Sequence, residues 1–198
     1  MTSTARIPEA RPTGVYGAII RWTSRRRFGT VLEPITVGWH HRKVLNFSFA
    51  LGRKAATWDR CDANLKSIAH MAVASYVGCS FCLDLGYFTA HNEGLDVAKA
   101  REVPRWRESD MFTPLERDVL EYAEAMTQTP PTVTDELSGR LLAALGAPAL
   151  LELTASIGLA NLYTRTNNAL GIESQGLSAS CALPPLAAAG GGAGRTPH

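Results

Sequence analysis

Residues 63–85 read ANLKSIAHMAVASYVGCSFCLDL, and the first fifteen of them decide the fold class. Leu65, Ile68, Ala69, Ala72, Val73 and Tyr76 recur at i, i+3, i+4 and i+7, the spacing of an α-helix with an apolar face. Gly78 interrupts that pattern, and a second helix is predicted from the cysteines through about His91.

Working outward, Thr113-Pro114-Leu115-Glu116 is a capping box with proline at the first helical position. It opens a helix with the face Leu115, Val119, Tyr122, Ala123 and Met126, which Pro130-Pro131 stops. Residues 135–145 carry Leu137, Leu141, Leu142 and Leu145 ahead of Gly146, and a longer helix is predicted from about Pro148 to Leu170, closed by Gly171. Only Val31 to Trp39 tempts a strand assignment, and Pro34 and Gly38 interrupt it. The expected fold is all-α: a loose segment over 1–14, a helical arm over 15–60, a helical domain over 61–172 and a disordered tail over 173–198. The tail assignment rests on its Ala, Gly, Pro and Ser content, which offers little apolar area to offset ordering entropy.

The 198 residues are 45% hydrophobic and 19% charged, ordinary globular usage that excludes disorder of the whole chain. Net charge of +2 gives no argument for nucleic acid. The distribution is uneven: residues 1–60 hold eleven Lys and Arg against three acids, and the remainder is net acidic. Such an arm can dock on the body or on a neighbouring subunit, or it can be a solvated surface. No apolar leader follows Met1, and no run reaches the roughly 18 apolar residues of a membrane span. The expectation is therefore a cytoplasmic protein, without membrane, in a compartment where a close cysteine pair is more often catalytic or metal-binding than a staple.

Cys79-Ser80-Phe81-Cys82 puts two thiols at i and i+3, on one face of a helical first turn and within disulfide reach. Amide ends and the helix dipole favour thiolate there. Zinc needs four ligands and there is no second CxxC; Cys61, His40, His41, His70 and His91 would have to complete the set. A thioredoxin-like motif needs a βαβ context that is missing. Two inert cysteines filling a core remain an open reading. Cys61 and Cys181 are isolated, and His40-His41, Asn161, Asn167 and Asn168 receive no site.

Ser75-Tyr76-Val77-Gly78-Cys79-Ser80-Phe81-Cys82-Leu83-Asp84-Leu85 resembles the signature of the alkylhydroperoxidase D-like and carboxymuconolactone decarboxylase superfamily. Leu115-Glu116-Arg117, Tyr122-Ala123, Val133 to Leu137, Glu152-Leu153-Thr154 and Ile157 to Asn161 agree in order and spacing, so that the likeness covers about residues 60–172. The resemblance implies a helical bundle of the alkylhydroperoxidase D-like type, assembled as a trimer or hexamer, that reduces hydroperoxides with thiols. Cys82 would attack the peroxide, Cys79 would resolve the sulfenate into a disulfide, and a dithiol protein or lipoyl-type donor would reduce it. No cofactor or metal is implied. The family's relay glutamate and histidine fall on Ser67 and Gly86, neither of which can take a proton from Cys82. His70, one turn beyond Ser67, is the candidate substitute; Asp84 and His91 face away from Cys82. Two rival expectations are a lyase or isomerase on a small lactone or carboxylate, and a redox-sensing or packing module without catalysis.

Overall fold

The computed structural model describes residues 4–188, and those residues form helices and turns without a strand. Three helices, α1 (Gly14–Phe28), α2 (Glu33–Gly38) and α3 (Arg42–Ala55), make up the arm. The body follows as α4 (Ala63–Val77), α5 (Ser80–Asn92), α6 (Val97–Glu102) and α7 (Pro114–Thr127). It continues with the long α8 (Asp135–Ala169) and the short α9 (Leu177–Ser180). The β-tempting stretch is α2, which Pro34 starts rather than breaks.

Local rules explain most of these ends. Thr113 and Glu116 form the reciprocal capping box, the Glu116 amide donating to the Thr113 hydroxyl at 3.3 Å and the Thr113 amide to Glu116 Oε2 at 2.8 Å. Gly146, at φ 74° and ψ 162°, breaks α8 into the two helices its leucine patterns predict. By length and composition α8 could cross a membrane, which corrects the expectation that no stretch reaches that threshold. Here it lines a protein core, with Leu141, Leu153 and Ile157 fully buried.

Two apolar clusters hold the molecule together. The larger joins one side of α4, including Leu65, Ile68 and Ala72, to Val119 and Leu120 of α7 and to Leu153 and Ile157 of α8. The smaller gathers Ile20, Leu32, Ile35 and Val37 from the arm around Ala74, Cys79, Phe81, Cys82 and Phe88, with Ile172 and Leu177 from the other end of the chain. The arm therefore docks on its own body through apolar contacts. Its one ion pair to the body among the described residues, Arg27 to Glu93 at 3.4 Å, is exposed and contributes little.

Both chain ends depart from expectation. The segment over 1–14 is not loose where it is described: the Arg6 amide donates to the Leu170 carbonyl at 2.7 Å and the Ala10 amide to the Thr36 carbonyl at 3.1 Å. The tail over 173–198 is not disordered from 173 to 188. Asp84, only 5% exposed, accepts from Ser174 Oγ at 2.7 Å, the Leu177 amide at 2.8 Å, and the amide and hydroxyl of Ser178 at 2.9 and 2.6 Å. Few residues with no long apolar run suffice, because they fill sites that a buried carboxylate and an apolar pocket have prepared. Residues 189–198, the rest of the predicted tail, lie outside the described residues.

Truncation after Glu173 should accordingly destabilise the protein by at least about 2–4 kcal/mol, since it strands a buried carboxylate and removes Leu177 from its pocket. A thermal melt of the truncated chain reads this directly, and an unchanged Tm would refute the docking.

Candidate active site

The cysteine pair is set by the way α4 ends. Gly78 takes φ 78°, a left-handed conformation that strains any residue with a Cβ, and its amide and that of Cys79 return to the Ala74 carbonyl at 3.0 and 2.9 Å. The chain turns sharply and α5 begins with Cys79 as its N-cap. Cys79 Sγ accepts from the Cys82 amide at 3.2 Å, the position in which a sulfur gains most from the helix N-terminus. The two cysteines face each other near disulfide distance, with Cα atoms 5.4 Å apart, inside the range a disulfide spans.

Cys79 is 2% exposed and Cys82 3%, so the sulfurs lie inside the smaller core rather than on the surface. Among the described residues one polar side chain reaches them. Asn167 Nδ2 donates to Cys82 Sγ at 3.3 Å, and its neighbour Asn168 donates to the Val77 carbonyl at 2.8 Å, pinning the α4–α5 junction to the end of α8. Sequence reasoning noticed this asparagine pair in an apolar helix and gave it no role; the missing information was which element it faces.

The relay positions are occupied differently. A Cβ on Gly86 would lie 2.8 Å from Met71 Cγ and 3.8 Å from His70 Cδ2, so the methionine fills the space that a longer side chain would need. Ser67 is half-buried on α4. His70 comes beside position 86, and burial pushes its imidazole below the ordinary range, which keeps it neutral near pH 7 and makes it a weaker base. Among the described residues it makes no hydrogen bond to either sulfur. Asp84, two residues past Cys82, holds the C-terminal segment instead. Burial works against its charge, but the hydrogen bonds from Ser178, Ser174 and Leu177 outweigh it and hold the carboxyl below its ordinary 3.8. Its stabilisation is present above that pH and is lost as pH falls through the lowered value.

The remaining candidates separate from the site. Cys61 is buried beside Glu152, and desolvation followed by that carboxylate pushes its thiol up to about 11, an unreactive state. His40 Nε2 meets the Pro8 carbonyl at 2.8 Å and His41 Nδ1 caps α3. Among the described residues no three of His, Cys, Asp and Glu gather into a cluster.

The sequence pattern of the carboxymuconolactone decarboxylase family matches residues 43–125. The protein YnjA of Escherichia coli K12 is 39% identical over 168 residues, spanning 82% of this chain and 88% of its own. The chain belongs to the carboxymuconolactone decarboxylase family. YdfG of Bacillus subtilis 168 is 27% identical over 54% of this chain and 73% of its own. Among solved structures, the debrominase Bmp8 in complex with 2,3,4-tribromopyrrole superimposes with a TM-score of 0.75 at 17% identity, over 89% of this chain and 96% of that one. A peroxidase-related protein with an alkylhydroperoxidase AhpD core from Ralstonia eutropha gives 0.74 at 14% identity, over 88% and 94%. At those identities the likeness is one of fold, and it establishes the all-helical architecture of this superfamily.

Two variants test the packing at Gly86. Gly86→Ala should destabilise by about 1–3 kcal/mol through overpacking against Met71, whereas Gly139→Ala, a helical position with open space around it, should stabilise by about 0.5–1 kcal/mol. Chemical denaturation measures both, and equal signs would sink the account. In reduced protein Asn167→Ala should make the Cys82 thiolate harder to form, because it removes a hydrogen bond to the charged sulfur. The pH profile of alkylation at Cys82 reads that shift, and an unmoved profile would deny Asn167 any hold on the thiolate.

Proposed function

We propose that this protein is a thiol-dependent oxidoreductase that reduces hydroperoxides through the Cys79–Cys82 pair. The observation that carries the reading is the pair itself: one sulfur caps α5, the other sits a turn away under the Asn167 amide, and the two stand near disulfide distance. In the forward half-cycle the Cys82 thiol gives up its proton, the thiolate attacks the terminal peroxide oxygen and the O–O bond breaks, leaving a sulfenic acid on Cys82 and an alkoxide that takes up the released proton and departs as the alcohol. The Cys79 thiolate then attacks that sulfur and expels hydroxide, which leaves as water. An external dithiol protein or lipoyl-type donor returns two electrons and two protons, and is itself oxidised to a disulfide. Burial of both sulfurs makes access of that donor a step in its own right. His70, neutral and beside Gly86, is the base that this chain offers in place of the family relay.

Counting free thiols before and after one equivalent of hydroperoxide tests the reading. Two thiols of the reduced chain's four should disappear, and peptide mapping should recover the Cys79–Cys82 link. Cys79→Ser should leave a trappable sulfenate on Cys82. His70→Ala should slow oxidation by less than the about 10²-fold of a fully positioned base, because it lacks a direct hydrogen bond to the sulfur. Four surviving thiols, or a Cys61–Cys181 link, would overturn the proposal. Turnover of a small lactone by the Cys79→Ser/Cys82→Ser protein would favour the lyase alternative.

Assembly as a trimer or hexamer belongs to the same proposal. The exposed Val15, Ile19 and Trp22 of α1 and Val44 and Phe47 of α3 support it as an apolar face on the arm. Light scattering at micromolar concentration should show more than one chain, and a monomer would remove this part.

A further inference from the structure

The two apolar cores draw on different parts of the chain. Buried members of the larger one run from Cys61 to Ala160, and among the described residues none comes from the arm. The smaller one, which holds both sulfurs, is assembled from distant stretches. Ile20, Leu32, Ile35 and Val37 come from the arm, Cys79, Cys82 and Phe88 from α5 and its cap, and Ile172 and Leu177 from near the end of the chain. Cooperative units of a fold open separately, at free energies below that of global unfolding. The smaller core can therefore come apart while α4, α7 and α8 stay packed.

Polar links near the surface hold the smaller core shut. Gln175, half-buried, reaches from the C-terminal segment to the arm: its Oε1 accepts from the Glu33 amide at 2.9 Å and its Nε2 donates to the Val31 carbonyl at 3.4 Å. On either side of it the same segment grips α5. The Ser174 amide donates to Ser80 Oγ at 3.1 Å, and Ser174, Leu177 and Ser178 donate to Asp84. Residues 174–178 thus clasp the arm with one side chain and α5 with its neighbours. Each such bond contributes little net free energy, so the clasp is easier to undo than the packing around α4. The wall formed by Asn167 and Asn168, in contrast, belongs to α8, whose Leu153 and Ile157 are locked in the larger core.

We propose that residues 174–178 are a clasp whose release lets the arm part from α5 and uncovers Cys79 and Cys82, with the larger core intact. A dithiol protein cannot meet sulfurs that are 2% and 3% exposed, and this opening is its way in. That use rests on the oxidoreductase reading above; the opening itself does not. Gln175 acts through the arm, by setting how often the pair is reachable.

The test is the rate at which iodoacetamide labels each thiol of the full-length reduced protein at one pH, followed by peptide mass. Cys61, 4% exposed in the larger core, is a built-in reporter of global opening. Gln175→Ala removes both bonds to the arm, and Ser178→Ala removes one of the donors to Asp84. Each should speed labelling of Cys79 and Cys82 by about five- to fiftyfold over the native chain and leave Cys61 at its native rate. Amide hydrogen exchange in the same variants should quicken in α2 and over 172–181, and stay native in α7 and around Leu153 and Ile157 of α8. Labelling of the pair that neither variant speeds would overturn the proposal. So would a rise at Cys61, or in α7 exchange, in step with the pair, since the chain would then open only as a whole. No peroxide enters this readout, so its failure leaves the oxidoreductase reading standing, and survival of all four thiols in peroxide would sink that reading alone.

Discussion

A helix buried around most of its circumference can exist in water only if other elements enclose it, and α4 is such a helix between Leu65 and Ala74. Seven of its residues, from Leu65 to Ala74, are buried, and they do not fall on one stripe. α8 and α7 cover one side, α5 another, and the arm reaches Ala74 from a third. Everything that matters for chemistry follows from where this enclosed rod stops. Its last turn closes on Gly78, and the reversal there presents Cys79 as the cap of the next helix. The sulfurs are buried because the junction itself is buried, held from behind by Asn167 and Asn168.

The same enclosure accounts for the relay positions. Position 86 faces α4 at a point where Met71 has taken the volume, so Gly86 marks a close helix contact that leaves no room for an imidazole. His70, the residue before Met71, ends up next to that contact. An imidazole thus stands near that contact, reached from α4 instead of α5, with no hydrogen bond to either sulfur among the described residues.

How much of this was legible in the sequence differs by element. α4, α7 and the break at Gly146 could be read because their determinants are local: apolar spacing, a capping box, a glycine between two leucine patterns. The cysteine pair could be read for a similar reason, as i and i+3 in a first helical turn. The chain ends could not. Ser174, Leu177 and Ser178 look like part of a low-complexity tail until Asp84, about ninety residues away, is placed beneath them. Asp84 in turn looked idle because it faces away from Cys82, and that direction is the one from which the tail arrives. Asn167 shows the same limit: its type and setting were conspicuous, but its partner belongs to a helix eighty-five residues earlier.

The docking of both ends on one core also orders events in time. The pocket around Cys79 and Cys82 draws on Ile20 and Val37 near the start of the chain and on Ile172 and Leu177 near its end. During synthesis the cysteines emerge long before the residues that cover them, so the nascent chain carries two unshielded thiols on a partly built scaffold. Oxidation, reduction and exchange with other thiols are all open in that interval. Closure of the C-terminal segment on Asp84 then covers the pair, and from that point any partner must reach two sulfurs that lie inside the folded core.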